Sequence, residues 1–182
     1  RPAAACDPAS PPWAPAGPDT FEECTIVVVS AEASADGRPL LWKNRDAGFL
    51  DNEAVFFSGG KHSFLSLTNA NTLTEAWVGV NDAGFAILNA LSYNVPDSTY
   101  GGITNGQLMK LALETCATVN EFEALLHQIA HAQGRENPAN LGVIDAQGGA
   151  AVFEVGNRHH FRFDAGGGEG AAGGFLVRAN FS

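Results

Sequence analysis

The sequence predicts an α+β domain built from antiparallel sheets, and three observations carry that prediction. Apolar, often β-branched runs of strand length recur between clusters of Gly, Asp and Asn. Two helical stretches lie together in the second half of the chain, and strands resume after them. Strands, then two helices, then strands again is the order expected when two sheets are sandwiched between helical layers, and order alone also fits many other α+β folds. With 182 residues, 45% of them apolar, the chain can build one hydrophobic core and is short for two.

Residues 1–23 hold six of the nine prolines, which favours extended backbone and builds no packed element, so they are read as a propeptide or arm preceding a domain at 24–182. At Cys24 the composition changes abruptly. Residues 24–30 form a continuous apolar run expected to be a core strand buried on both faces. The turn Ala35-Asp36-Gly37-Arg38 returns the chain along 39–43, a hairpin that sets Asn44-Arg45-Asp46 beside Cys24. Further strands are predicted at 54–58, 63–68, 75–80 and 84–91, separated by Gly-Gly, Asn-Ala-Asn and Asn-Asp-Ala-Gly turns.

Over residues 105–116, Leu108, Leu111, Ala112 and Cys116 recur at helical spacing. Thr118 and Glu121 then read as a capping box opening a second helix through His131, and the two helices are expected to cover one sheet face. Strands 141–145 and 150–155 form a hairpin across Gln147-Gly148-Gly149, and 159–163 follows. The Gly/Ala tract 165–174 is expected to be a mobile loop, and 175–178 a last strand leading into Ala179-Asn180-Phe181.

Twenty acidic against ten basic side chains give a formal charge of −10, a balance that repels phosphate backbones and argues against nucleic acid as a partner. Apolar runs fall far short of the roughly 20 residues of a membrane helix, so no membrane span is predicted. Cys6, Cys24 and Cys116 are an odd set without CxxC spacing, which writes neither a disulfide framework nor a thiolate metal site. A chain beginning at Arg1 without Met fits either a removed signal peptide or an unseen preceding stretch, and the first of these would give a secreted or periplasmic location.

Cys24 stands where the Pro-rich arm meets the core. One cleavage there makes it a terminus carrying both a thiol and an α-amine, and an α-amine titrating at about 7.7 to 8 can accept the thiol proton without a histidine. Its thiolate would attack an amide carbonyl and form a thioester.

Cys24-Thr25 opening a strand, Asp36-Gly37, Lys43-Asn44-Arg45-Asp46, the turn at residues 79–85, 89–94, 140–148 and Arg178-Ala179-Asn180-Phe181 together resemble the cysteine N-terminal-nucleophile (Ntn) hydrolases. That group includes choloylglycine hydrolases, penicillin V acylases, acid ceramidase and the isopenicillin N acyltransferase family. The resemblance runs through residues 24–182. It implies a four-layer αββα sandwich of antiparallel sheets, self-cleavage between Glu23 and Cys24, and action on a small-molecule linear amide with no metal or organic cofactor.

By the same resemblance Cys24 is the nucleophile, Asp46 holds the freed α-amine, and Asn180 donates to the oxyanion. A further donor follows the Gly-x-Asn-x-x-Gly turn, with Asn89 as the best match and the Leu91 amide as the alternative. Lys43 stands where many relatives carry Arg, and Arg45 shares its strand face, so both are candidates. Relatives continue well beyond the Asn-Phe motif. A missing C-terminal portion, or a second polypeptide from the same precursor, is therefore expected to complete the sandwich, with a homo-oligomer as a further option.

Hydrolase and acyltransferase share every step up to the thioester, so both readings stand. A non-catalytic secreted binding homologue with a structural Cys24 is the alternative of another class. A His-dependent metalloenzyme is the third, since His127 and His131 are four apart with His159-His160 beyond, but Gln128 replaces the metalloprotease glutamate and no metal site is assigned.

Overall fold

The computed structural model describes residues 23–95, 101–167 and 171–181, so the expected arm lies outside the described residues except for Glu23. The strands are β1 Thr25–Val29, β2 Leu40–Asn44, β3 Asn52–Phe57, β4 Phe64–Asn69, β5 Val78–Asn81 and β6 Ala86–Leu91. Helices α1 Asn105–Thr115 and α2 Val119–Ala132 follow, then β7 Ala139–Ile144, β8 Ala150–Val155, β9 His160–Asp164 and β10 Phe175–Arg178. All strand pairs are antiparallel, in a seven-stranded sheet ordered β3-β4-β5-β6-β7-β8-β9 and a three-stranded sheet ordered β10-β1-β2.

The helices cover one face of the large sheet, as expected. Leu108, Ala112, Leu113, Phe122 and Leu126 pack against Phe85, Ile87, Leu141, Val143 and Phe153 in the principal core. On its opposite face β1 and β2 lie over β6, β7 and β8, with Ile26, Val28 and Leu176 meeting Leu88, Ala90 and Val152. The two sheets approach closely at Gly142, where an added Cβ would come within 2.9 Å of both Leu88 and Val28. The described residues thus form three layers, helix, sheet and sheet. None of their helices is long and apolar enough to cross a membrane.

Several expectations are refined. β1 is buried on one face only: Ile26 and Val28 are buried while Thr25, Val27 and Val29 are partly open. The strand expected at 75–80 begins at Val78, because Ala76 donates its amide to Gly106 O and turns the preceding residues toward α1. At α2 only half of the expected capping box forms. Thr118 accepts from the Glu121 amide, but the Glu121 carboxylate reaches past the cap to the amide of Ala117. A full box forms instead at α1, between Thr104 and Gln107. In the Gly/Ala tract, residues 168–170 lie outside the described residues, whereas Ala165 and Ala171 are buried beside Val28 and Leu176 and so are packed, not loose.

The β5–β6 turn is organised by one asparagine. Asn81 Oδ1 accepts from the amides of Ala83 and Phe85 at 3.2 and 2.9 Å, while its Nδ2 donates to Leu113 O and Cys116 O at 3.0 and 2.7 Å. Gly84 supplies the left-handed conformation, φ +82°, that closes the turn. Replacing Asn81 with Ala strands two buried carbonyls and two amides, so Asn81→Ala is expected to lower unfolding free energy by about 3 kcal/mol in urea denaturation. A change below about 0.5 kcal/mol would show that the turn holds α1 by other means.

Candidate active site

Two strand registers bring the site together. β1 pairs with β2 from Thr25 opposite Asn44, and one further position sets Arg45 across from Cys24. β1 also pairs with β10 from Ile26 opposite Arg178, and the chain leaving β10 there brings Asn180 to the wall of a cavity that Cys24 also lines. Cys24 is 3% exposed, packs on Ile26, Leu88 and Ala90, and donates its thiol to the backbone oxygen of Asp46 at 3.5 Å.

Cys24 lines two cavities. One, of about 300 Å³, lies at the sheet end beneath the N-terminus of α1 and is lined also by Lys43, Arg45, Asn69, Trp77 and Asn89. The other, of about 480 Å³, is walled by Glu23, Tyr93, Asn180 and Phe181. Trp77 Nε1 and Asn105 Oδ1, on residues lining the first cavity, are buried with no hydrogen-bond partner.

The candidate polar residues take distinct places. Lys43 Nζ donates to Asn89 Oδ1 at 2.9 Å, which fixes the orientation of that amide and makes Nδ2 its remaining donor. Arg45 lines the same cavity but is anchored by Phe49 O at 3.2 Å and Asn69 Oδ1 at 3.1 Å. Leu91 lines it too, while its carbonyl accepts from Asn180 Nδ2 at 2.7 Å. Asp46 meets Cys24 through its main chain, and its side chain is exposed. Asn44 Nδ2 lies 3.5 Å from the carbonyl oxygen of Glu23, the group at the expected scissile bond.

Sequence reasoning missed the residues that hold Asn180 in place. Asn140, fully buried on β7, donates to Ala179 O at 3.0 Å and Phe181 O at 3.3 Å, clasping the residues on either side of Asn180. The signal was present, a lone asparagine inside the apolar strand Ala139–Ile144, where a buried amide must find partners. Just upstream, Arg178 Nε donates to Glu154 Oε1 at 2.7 Å and fastens β10 to β8. The Tyr93 backbone N–H adds a hydrogen bond to Asn180 O at 2.9 Å.

The second described cysteine differs in its surroundings. Cys116 closes α1 inside the principal core, and burial pushes its thiol above the usual range, so it stays protonated. The histidines group differently from their spacing in sequence. His127 approaches His160 and Glu123 rather than His131, and burial, then the nearby His127, lowers the pKa of His160.

Residues 33–180 match the family model described as acyl-coenzyme A:6-aminopenicillanic acid acyl-transferase. The span includes Lys43, Arg45, Asp46, Asn89 and Asn180, with Cys24 just upstream of it. No curated protein matches the sequence. Among solved structures, the chain is similar to a Caenorhabditis elegans N-acylethanolamine-hydrolyzing acid amidase ortholog, at 15% identity and TM-score 0.63, over 87% of this chain and 70% of that one. It is also similar to a mutant conjugated bile acid hydrolase from Clostridium perfringens, at 15% identity and TM-score 0.55, over 78% of this chain and 50% of that one. The chain therefore spans about half the length of the bile acid hydrolase, and at these identities the likeness is one of fold.

The clasp made by Asn140 is open to test. Asn140→Ala removes both donors and is expected to cost about 1–3 kcal/mol of stability and to speed amide hydrogen exchange across residues 179–181. Exchange there equal to that of the wild type would assign the segment's order to Arg178 and Tyr93 instead.

Proposed function

The chain belongs to the acyl-coenzyme A:6-aminopenicillanic acid acyl-transferase family, and on that premise we propose that it is the nucleophile-bearing part of a self-processing cysteine Ntn amidase. The observation that carries the reading is the position of Cys24: a buried thiol at the head of a central strand, between two cavities, with the Asp46 main chain at its thiol and Asn180 on the wall of one of those cavities.

In the uncut chain the Cys24 sulfur attacks the Glu23 carbonyl carbon, and Asn44 Nδ2 is placed to donate to the oxygen as negative charge develops. The Glu23–Cys24 C–N bond breaks, the nitrogen leaves as the Cys24 amine with the thiol's proton, and water hydrolyses the resulting thioester. The freed α-amine, held by the Asp46 carboxylate, then serves as base for the same thiol.

With a substrate amide the thiolate attacks the carbonyl carbon. An amide nitrogen carries two hydrogens, so Asn180 Nδ2 keeps one for the oxyanion beyond its bond to Leu91, and Asn89 Nδ2 offers another. Lys43 acts through Asn89, orienting its amide, and Arg45 shapes the wall of the smaller cavity. The amine departs with the proton and leaves an acyl thioester. Water resolves it in a hydrolase and an acceptor amine in a transferase, and the family's own description keeps the second outcome as the alternative.

This reading also assigns the outer face of the small sheet, where Leu40, Trp42, Phe175 and Val177 are exposed, to a fourth, helical layer supplied by the remainder of the same precursor.

Intact-mass analysis over time is expected to show a new terminus at Cys24 in the wild type and none in Cys24→Ala, which should also lack amide hydrolysis while keeping the wild-type circular dichroism. Cleavage proceeding normally in the alanine variant would sink the mechanism. An arm retained in both proteins, with no N-acyl substrate turned over, would favour the binding homologue. Asn180→Ala is expected to process slowly and to lose about 10²–10³ in kcat, with a smaller effect on KM.

A further inference from the structure

Away from the Cys24 site, three metal-ligating side chains from two elements converge. Glu123 and His127 stand four residues apart on one face of α2, and His160 is the first residue of β9. One ligand atom from each lies within 4.8 Å of the other two. The imidazoles of His127 and His160 meet edge to face, with centroids 4.7 Å apart.

The strand side of this group is held firmly. The fully buried Arg135 donates from Nη2 to the carbonyl of His159 at 2.8 Å and fixes the backbone just before His160. The His160 ring rests against Phe153, at 5.8 Å between centroids. Glu123 is oriented as well: its Oε2 accepts from Arg162 Nη1 at 2.6 Å, which leaves Oε1 turned to His160 Nε2 at 3.6 Å. Arg162 is itself braced by Asp164 and Asn120, each at 2.9 Å.

We propose that Glu123, His127 and His160 form a Zn²⁺ site that ties α2 to β9, an edge strand of the large sheet. Two imidazole nitrogens and one carboxylate oxygen are a borderline-hard donor set that suits this ion. Zn–N distances of about 2.0–2.1 Å in a tetrahedron place neighbouring ligand atoms about 3.4 Å apart. The ligands therefore need to close by up to about 1.4 Å, which rotation of the exposed His127 side chain can supply. Arg162 takes the outer-shell role of fixing the ligating carboxylate, and water fills the fourth position on the solvent side. The acidic balance of the chain raises the local concentration of cations. The site is structural: it pins a strand that, among the described residues, has a sheet partner on one side only.

The test is calorimetric titration of the chelator-stripped full chain with zinc chloride, paired with thermal denaturation. One ion per chain and a zinc-dependent rise in Tm are expected. His127→Ala and His160→Ala should each weaken binding by about 100-fold. His131→Ala, His159→Ala and Cys24→Ala should leave it unchanged, the last separating this site from the catalytic thiol. Zinc absorption spectroscopy of the wild type, which needs no variant to fold, should report two imidazoles and no sulfur. Absence of stoichiometric uptake, uptake undiminished in the His127/His160 double variant, or sulfur in the coordination shell would overturn the proposal.

Discussion

Everything at the site depends on β1 being the middle strand of the small sheet. Its two neighbours run antiparallel to it, so their residues nearest Cys24 are the last of β2 on one side and those leaving β10 on the other. A hairpin joins β1 to β2, but nearly the whole chain separates β1 from β10. The β1–β10 pairing therefore closes a long loop, and it is held by more than ladder bonds. Ile26 and Val28 are fully buried against the large sheet, and the Arg178–Glu154 pair pins β10 to β8. A one-residue slip would move Ile26 and Val28 out of the core, so the register that brings Asn180 to a cavity Cys24 also lines is the one burial enforces.

Asparagine does the fine positioning. Asn81 ties the β5–β6 turn to the end of α1, Asn140 clasps the segment around Asn180, and Asn89 has its amide set by Lys43. Each side chain offers donor and acceptor together without a charge, so it can bridge backbone groups in a buried place where a carboxylate would carry a larger desolvation cost. The few charges near the cavity are kept at its wall: Arg45 is held by a carbonyl and an amide oxygen, and Asp46 stays exposed.

Local patterns in the sequence foretold local structure well. The β1–β2 hairpin, the strand from 175 and both helices follow from turn residues and apolar periodicity, and the hairpin alone predicted that Asn44-Arg45-Asp46 would lie near Cys24. What required coordinates was long-range pairing. No spacing in the chain says that Asn140 will grip residues 179 and 181, that Arg135 will be buried at the turn before β9, or that His127 will face His160 instead of His131. Two residues of the Gly/Ala tract escaped the reading for a related reason. Small residues read as loose chain, yet Ala165 and Ala171 are small because they fill the narrow space beside Val28 and Leu176.

The discrepancy at β1 is itself informative. Its sequence is apolar at every position from Thr25 to Val29 except the first, which is the composition of a strand covered on both faces, yet among the described residues only one face is covered. The uncovered face is no random scatter of apolar atoms. Val29 lies between Leu40 and Phe175, and Val27 between Trp42, which is 55% exposed, and Val177, so two cross-strand rows of large apolar side chains stand in register across all three strands. Rows of that kind, contiguous over a whole sheet face, are the pattern of a surface that packs against another layer. The both-faces reading of the sequence and the three-layer arrangement are reconciled under the proposed four-layer fold, in which the small sheet would be an inner layer and β1 an inner strand.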